Sequence, residues 1–245
     1  MNLMNANFSL NLHDIHLWRA WLPDLHTYEA DFLPLLSADE ATRAARFRFP
    51  IHRLRFILAR GILRQILSVY TNMAPQDIEF SYGPRGKPYL IPNPLDLQFN
   101  VSHSHDLAVF AITRKHEIGV DTEKMEDEYN DAVVERFFSQ QEHQEINQLP
   151  VEKRHVAFFQ IWSAKEALIK ALGEGLFIGL DEFTLSSSER VQTLLFSHEN
   201  KEAQFHIENF AVHPDYQAAY ATDQKVEKIV YWQWGLNGPE LCARF

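Results

Sequence analysis

Two acidic side chains at alternate positions are the first residues of this sequence that could do chemistry. Asp121 and Glu123 follow the short apolar run at residues 118–120. In a β-strand, alternate side chains point to the same side of the sheet, so the two carboxylates are expected to converge. Neighbouring carboxylates repel each other unless a cation or a proton joins them. The spacing therefore predicts a site for a cation or a shared proton at this point.

A third carboxylate lies about forty residues downstream, in a segment with helical character. Residues 159–173 are rich in Ala, Leu, Lys and Glu, and Gly173 stands where a left-handed C-cap is expected. Glu166 and Lys170 are four residues apart, which makes them neighbours on a helix. Taken alone, this pair is typical of solvated surface ion pairs. Together with the upstream acidic pair, Glu166 would complete an oxygen-rich site that suits Mg²⁺.

The chain is acidic, yet many of its basic residues are concentrated in one segment. The formal net charge of −10 disfavours a nucleic-acid partner. Residues 41–76 contain no Asp or Glu, and their guanidinium groups suit phosphate recognition. The alternative is that these side chains lie with their stems over apolar surface. The arginines of this segment are Arg43, Arg46, Arg48, Arg53, Arg55, Arg60 and Arg64.

Length and composition limit the class of protein. A chain of 245 residues can bury a sizeable core as one domain or two. Cys242 is the only cysteine, which excludes an intrachain disulfide and a mixed His/Cys zinc cluster and favours a reducing compartment. The first twelve residues lack the pattern of a signal peptide, and no run approaches the roughly 20 apolar residues of a membrane span. We therefore expect a cytoplasmic protein with no membrane partner.

Hydrophobic periodicity and capping signals predict an α+β protein. Residues 81–89 contain two Gly and two Pro and are predicted to form a rigid loop that presents Arg85 and Lys87. An acidic loop is predicted at 124–131 and a glycine-rich turn at 173–176. Helices are predicted over 37–48, 50–70 and 151–172, with shorter ones near 133–137 and from 139. Strands are predicted over 14–21, 97–102, 107–113, 118–121, 182–185, 192–196, 203–212, 217–222 and 228–234.

The order and content of three motifs resemble a known family. Gly-Val-Asp-x-Glu at 119–123 and Trp-Ser-x-Lys-Glu-Ala-x-x-Lys at 162–170 resemble the signature of the 4′-phosphopantetheinyl transferases, in particular the longer, pseudo-dimeric type. Phe-Asn-Val-Ser-His-Ser at 99–104 matches a third family motif. The resemblance spans roughly residues 36–186. It implies two similar subdomains related by a pseudo-twofold, residues 1–116 and 117–245, each with an antiparallel sheet packed on helices.

The resemblance also implies a reaction and a set of ligands. The 4′-phosphopantetheine group of coenzyme A would move to a serine of an acyl or peptidyl carrier protein, with release of adenosine 3′,5′-bisphosphate. Mg²⁺ would be held by Asp121, Glu123 and Glu166, and the catalytic residues would be Glu166 and Lys170. The base is either Glu166 or a metal-bound water that it orients. The residues implied to contact coenzyme A are Arg43, Arg48, Arg55, Lys87, Ser102, His103, Lys165 and Lys170.

Two other functions remain open at this point. A Mg²⁺-dependent nuclease also uses an acidic pair with a further Glu and Lys, although the acidic total disfavours a DNA partner. A non-catalytic binding module is the third possibility. For the transferase, the expected partners are coenzyme A and a carrier protein, and we expect a monomer.

Overall fold

The structure, a computed structural model, describes residues 8–126, 129, 131–173, 179–198 and 201–245. Its helices are α1 (Glu29–Phe32), α2 (Ala38–Ala45), α3 (Pro50–Thr71), α4 (Asp131–Phe137), α5 (Gln140–Gln148) and α6 (Val151–Leu172). Its strands are β1 (Asp14–Trp21), β2 (Phe80–Tyr82), β3 (Pro88–Leu90), β4 (Leu97–Ser104), β5 (Leu107–Arg114), β6 (Ile118–Lys124), β7 (Val191–His198), β8 (Lys201–His213), β9 (Tyr216–Thr222), β10 (Lys228–Gly235) and β11 (Gly238–Cys242).

Two sheets pack face to face, and a long helix covers the outer face of each. Leu17 of the first sheet and Val120 of the second belong to the hydrophobic core between the sheets, and both are fully buried. On the outer faces, α3 packs against Trp18 and α6 packs against Ala219. Burying an aliphatic side chain of this size contributes about 1.5–3 kcal/mol to the free energy of folding. The packing between the sheets therefore stabilises their relative position. The mixture of helices and largely antiparallel sheets confirms the predicted α+β class.

The sheets do not divide the chain as simply as the sequence suggested. The strand order is β11-β10-β1-β5-β4 in the first sheet and β6-β9-β8-β7 in the second. Strands β10 and β11 therefore return from the C-terminal half to extend the N-terminal sheet. The β1–β10 pair is parallel, whereas the other strand pairs of the described residues are antiparallel, as the resemblance implied. The division at residues 116 and 117 stays a prediction, with 228–242 crossing it.

Local signals account for the long helices. Pro50 opens α3, where its missing N–H costs nothing, and Asn72 closes the helix in the left-handed conformation at φ 55°. Helix α6 spans the predicted residues and ends at Gly173, with φ 71°. Among the described residues, no helix is long and apolar enough to cross a membrane.

Some predicted elements differ from the structure. The strand predicted over 182–185 is wrong: a 3₁₀ turn, Leu180–Glu182, occupies its start. The carbonyls of Leu180 and Phe183 accept hydrogen bonds from a lysine side chain, so they are engaged outside any sheet. The loop at 81–89 contains the short hairpin β2–β3, and β11 was not predicted. Residues 174–176 of the glycine-rich turn, and 127, 128 and 130 of the acidic loop, lie outside the described residues.

One glycine sets the distance between β6 and α6. A Cβ added at Gly119 would lie 2.0 Å from the carbonyl oxygen of Ala167 and 2.3 Å from the backbone nitrogen of Ala171. Both contacts are with helix backbone, which cannot rotate away as a side chain can. Ala167 and Ala171 are small, and Gly119 has no side chain. The helix α6 can therefore lie directly against β6.

Gly119→Ala is expected to lower the free energy of unfolding by about 3 kcal/mol, because the added methyl group must push α6 away from β6. Urea denaturation followed by circular dichroism measures the change. Gly83→Ala serves as the control, since the atom nearest to a Cβ there is 3.6 Å away. Equal stability of the two variants would show that β6 and α6 are not in such close contact.

Candidate functional site

Alternate serines of β4 reach across to alternate carboxylates of β6. Ser102 Oγ donates a hydrogen bond of 2.9 Å to Asp121 Oδ1, and Ser104 Oγ donates one of 3.0 Å to Glu123 Oε2. Asp121 and Glu123 therefore lie on the same side of β6, as their spacing predicted. The two sheets meet at this line, which places both carboxylates between the halves of the molecule.

Asp121 is the most deeply buried of the acidic residues predicted to bind a metal, with 2% of its surface exposed. Its Oδ1 accepts from Lys170 Nζ at 2.5 Å as well as from Ser102. Its Oδ2 is buried and has no hydrogen-bond partner within the described part of the chain. A buried oxygen left without a donor costs free energy, so this atom is suited to receive a cation or a ligand proton.

The other two carboxylates lie within electrostatic range of Asp121. Burial and then the charge of Asp121 raise the pKa of Glu123 to about 7. The same two causes, in the same order, raise the pKa of Glu166. Across residues 8–126, 129, 131–173, 179–198 and 201–245, however, no three acidic, His or Cys side chains are gathered closely enough to form a metal site as they stand.

A polar cleft of about 310 Å³ opens beside this cluster. Its walls come from α2, α3, β3, β4 and α6, so both halves of the chain contribute. Desolvation, followed by the charges of Lys170 and Arg55, lowers the pKa of His103, which the cleft therefore holds in its neutral form. The positive charges of Lys170 and Arg55, which contribute to this shift, favour an anionic ligand in the cleft. The lining residues are Arg43, Phe56, Ala59, Arg60, Pro88, Val101, Ser102, His103 and Lys170.

Four of the residues predicted to contact coenzyme A thus line one cleft: Arg43, Ser102, His103 and Lys170. Lys170 is the link between the cleft and the acidic cluster, because its Nζ also donates to Ser102 Oγ at 2.9 Å. These residues come from three distant parts of the sequence, and the packing of the two sheets brings them together.

Two of the other four predicted contacts, Arg48 and Arg55, have different surroundings. Arg55 Nη2 lies 2.6 Å from Asp106 Oδ1, and both residues line a separate depression. Arg48 is exposed, and its guanidinium lies over the ring of Phe49 at 5.5 Å. The structure therefore does not bring Arg48 or Arg55 to the lining of the cleft.

The ammonium group of Lys87 also has hydrogen-bond partners outside the lining of the cleft. Its Nζ donates to Glu117 Oε2 at 2.7 Å and to the carbonyl oxygen of Ala171 at 2.8 Å. The neighbouring Pro88 lines the cleft, so the Lys87 side chain is close to its rim. A contact between Lys87 and a phosphate stays a prediction, and it requires this ammonium to exchange Glu117 for the ligand.

The prediction that Lys165 binds coenzyme A is wrong for this structure. Lys165 is fully buried, and its Nζ lies 2.8 Å from Glu142 Oε2. The same ammonium donates to the carbonyl oxygens of Leu180 and Phe183 at 2.5 and 2.9 Å. On a helix, adjacent residues point about 100° apart, so Lys165 can face the interior while Glu166 points toward the acidic cluster around Asp121. Lys165 ties α6 to the start of α5 and to residues 180–183.

Arg60 is a cleft residue that the sequence did not single out. Its side chain is almost buried, its Nε lies 3.3 Å from Glu40 Oε1, and it contributes to the wall opposite Lys170. Its Nη1 has no hydrogen-bond partner among the described residues. A fully charged guanidinium with an unused donor is an anion-binding group. The sequence offered no signal that distinguishes Arg60 from the other arginines of residues 41–76.

Comparison with known proteins finds relatives that match both halves of the chain. The profile described as the 4′-phosphopantetheinyl transferase superfamily matches residues 117–221, and the profile described as the N-terminal part of a 4′-phosphopantetheinyl transferase matches residues 19–115. The 4′-phosphopantetheinyl transferase HetI of Nostoc sp. is 39% identical over 173 residues, which cover 69% of this chain and 73% of that protein. The chain belongs to the 4′-phosphopantetheinyl transferase superfamily.

Further members of the superfamily share most of this transferase's length. The 4′-phosphopantetheinyl transferase psf-1 of Bacillus pumilus is 34% identical over 189 residues, covering 77% of this chain and 79% of that protein. The 4′-phosphopantetheinyl transferase Sfp of Bacillus subtilis is 28% identical over 188 residues, covering 77% of this chain and 82% of that protein. These matches confirm the resemblance to the longer transferase type.

Proposed function

We propose that this chain transfers the 4′-phosphopantetheine group of coenzyme A to a serine hydroxyl of an acyl or peptidyl carrier protein and releases adenosine 3′,5′-bisphosphate. The observation that carries the proposal is the contact of Lys170 with both Ser102 and Asp121, which joins a cationic cleft to an acidic cluster. Membership of the transferase superfamily supports the reaction and favours it over a nuclease or a non-catalytic binding module. The cytoplasmic location and the monomeric state stay predictions.

The cleft provides groups that suit the phosphates of coenzyme A. Arg43 and Arg60 present guanidinium groups on one wall, and Lys170 presents an ammonium on the other. Charge-assisted hydrogen bonds from such donors to phosphate oxygens are about twice as strong as neutral ones. Ser102 and His103 add neutral polar groups between them. The nucleotide would lie against these residues, with its pyrophosphate toward Lys170.

The acidic cluster fits Mg²⁺ by its chemistry. Magnesium prefers carboxylate oxygens and keeps several waters, so one or two protein ligands suffice. The unpartnered Oδ2 of Asp121 supplies one such oxygen, and Glu123 and Glu166 are the neighbouring candidates. When bound, the ion would neutralise negative charge on the pyrophosphate. A cation there would also relieve the repulsion among the three carboxylates.

The protein's own side chains have distinct tasks in the transfer. Attack of the serine oxygen on phosphorus forms a phosphoester bond and breaks the bond to the bridging pyrophosphate oxygen. Lys170 holds a positive charge beside the phosphate that is attacked, where it stabilises the charge that develops. Glu166 lies one helical turn before Lys170 on α6, so its carboxylate, or a water that it orients, accepts the proton of the serine.

Mass spectrometry tests the proposed reaction directly. The protein is incubated with an apo carrier protein, coenzyme A and Mg²⁺, and the carrier is expected to gain about 340 Da, the size of the transferred group. A reaction without coenzyme A is the control. If the carrier gains no mass while a known transferase modifies the same preparation, the proposed function is wrong.

Asp121→Ala is expected to lower the transfer rate by at least about 10²-fold and to raise the Mg²⁺ concentration needed for half-maximal activity. The substitution removes the buried oxygen that is available to a cation and the partner of Lys170. Steady-state rates over a Mg²⁺ titration measure both effects. Asp77→Ala, at an exposed position, is the control. An unchanged Mg²⁺ titration in the Asp121 variant would remove this residue from the metal site.

A further inference from the structure

Large apolar side chains are exposed where α2 ends and α3 begins. The exposed fractions are 36% for Phe47, 53% for Phe49 and 46% for Ile51. Exposed arginines alternate with them, at Arg46 and Arg48. We call residues 46–51 the junction patch. Single exposed apolar residues are ordinary, but three within five positions form a surface that favours contact with another molecule.

The junction patch is continuous with the cleft. The ring of Phe47 lies 5.4 Å from that of Phe56, which lines the cleft. Arg43, another lining residue, stands over the same Phe56 ring at 5.2 Å. A molecule seated on the patch would therefore adjoin the entrance of the cleft that leads to Lys170. Arg48, which the structure places outside the cleft lining, lies in this patch.

The charge of the junction patch differs from that of the whole chain. The formal net charge is −10, whereas residues 41–76 contain no acidic residue. Charges beyond about 8–10 Å are largely screened at physiological ionic strength, so a partner at the patch would experience its arginines more than the distant acidic residues. The surface that complements this patch is acidic at its rim and apolar at its centre.

We propose that the junction patch is the docking site for an acidic, amphipathic surface of the carrier protein. This inference rests on the proposed function, in which one substrate is a macromolecule whose serine must reach the Lys170 side of the cleft. The rest of that macromolecule must then cover protein surface beside the cleft. The junction patch offers apolar contact area, positive charge and continuity with the cleft on one contiguous segment.

The test is a charge reversal combined with separate Michaelis constants for the two substrates. Arg46→Glu/Arg48→Glu is expected to raise the KM for a purified, acidic apo acyl carrier protein by about tenfold or more. The KM for coenzyme A and the kcat are expected to stay within about twofold of wild type, because neither arginine lines the cleft. Phe49→Ser removes apolar area without a change of charge and is expected to raise the carrier's KM about fivefold.

Lys225→Glu/Lys228→Glu is the matched control, with the same change in net charge at exposed positions near the start of β10. Thermal unfolding of every variant checks that the fold is intact. The proposal is overturned if the patch variants and the control have the same KM for the carrier. It is also overturned if the patch variants raise only the KM for coenzyme A, which would make the patch part of the nucleotide site. Absence of transfer by the wild-type protein would instead refute the proposed function.

Discussion

Glu166→Gln is expected to lower the rate of phosphopantetheine transfer by at least about 10²-fold while the fold stays intact. The substitution keeps the size of the side chain and its hydrogen-bonding carbonyl but removes the group that can accept a proton or bind a cation. Glu166 is half-buried on α6, one helical turn before Lys170, and the charge of Asp121 acts on it. In the proposed reaction it therefore lies close to the phosphate that is attacked. The measurement is the initial rate of carrier modification at saturating coenzyme A and Mg²⁺.

Glu152→Gln is the matched control for this prediction, because it makes the same substitution at an exposed position in the first turn of the same helix. Its transfer rate should equal that of the wild type. Both variants should unfold at temperatures close to the wild-type value, since Gln and Glu have nearly the same volume. A Glu166→Gln protein with more than about half of the wild-type rate would show that this residue is neither the base nor an essential ligand.

Lys165→Met has the second large expected effect, and it concerns stability rather than binding. The substitution leaves the Glu142 carboxylate buried without its cation and leaves two backbone carbonyls without their donor. Removing one partner of a buried ion pair typically costs about 3–5 kcal/mol. The free energy of unfolding, measured by urea denaturation, should fall by that amount. Lys153→Met, at an exposed position of the same helix, should change it by less than about 0.5 kcal/mol.

A double variant separates the role of the charge from that of the other contacts. In Lys165→Met/Glu142→Gln the buried charge is gone, while the amide oxygen can still accept one of the hydrogen bonds from the backbone nitrogens of Ser139 and Leu185. We expect this protein to regain at least about 1 kcal/mol relative to the single variant. If Lys165→Met were instead as stable as wild type and raised the KM for coenzyme A, the sequence-based assignment of Lys165 to the ligand would be right.

The spacing of residues predicted those parts of the site that depend on local geometry. Asp121 and Glu123 fall on one side of β6 because a strand alternates its side chains, whatever surrounds it. The bounds of α6 follow from helix-forming residues and a glycine cap that act within one segment. The family motifs added the identity of the reaction, which residue spacing alone left open between a transferase, a nuclease and a binding module.

Contacts between distant segments could not be predicted in the same way. Lys165 stands next to Glu166 in a motif rich in charge, so its type suggested a ligand contact. Its actual partner, Glu142, lies on another helix and becomes visible only when α5 and α6 pack. Arg60 could not be distinguished from its six neighbouring arginines. Which of them enters the cleft depends on how α3 is rotated against the first sheet.

The parallel pairing of β1 with β10 affects the order in which the chain can fold during its synthesis. Asp14 aligns with Lys228, so one edge of the first strand stays open until residues more than two hundred positions later have left the ribosome. Up to that moment the nascent N-terminal half exposes an unpaired strand edge and the Trp18 ring that Trp232 later covers. We therefore expect a ribosome-bound chain that stops before residue 228 to recruit chaperones more strongly than the full-length protein.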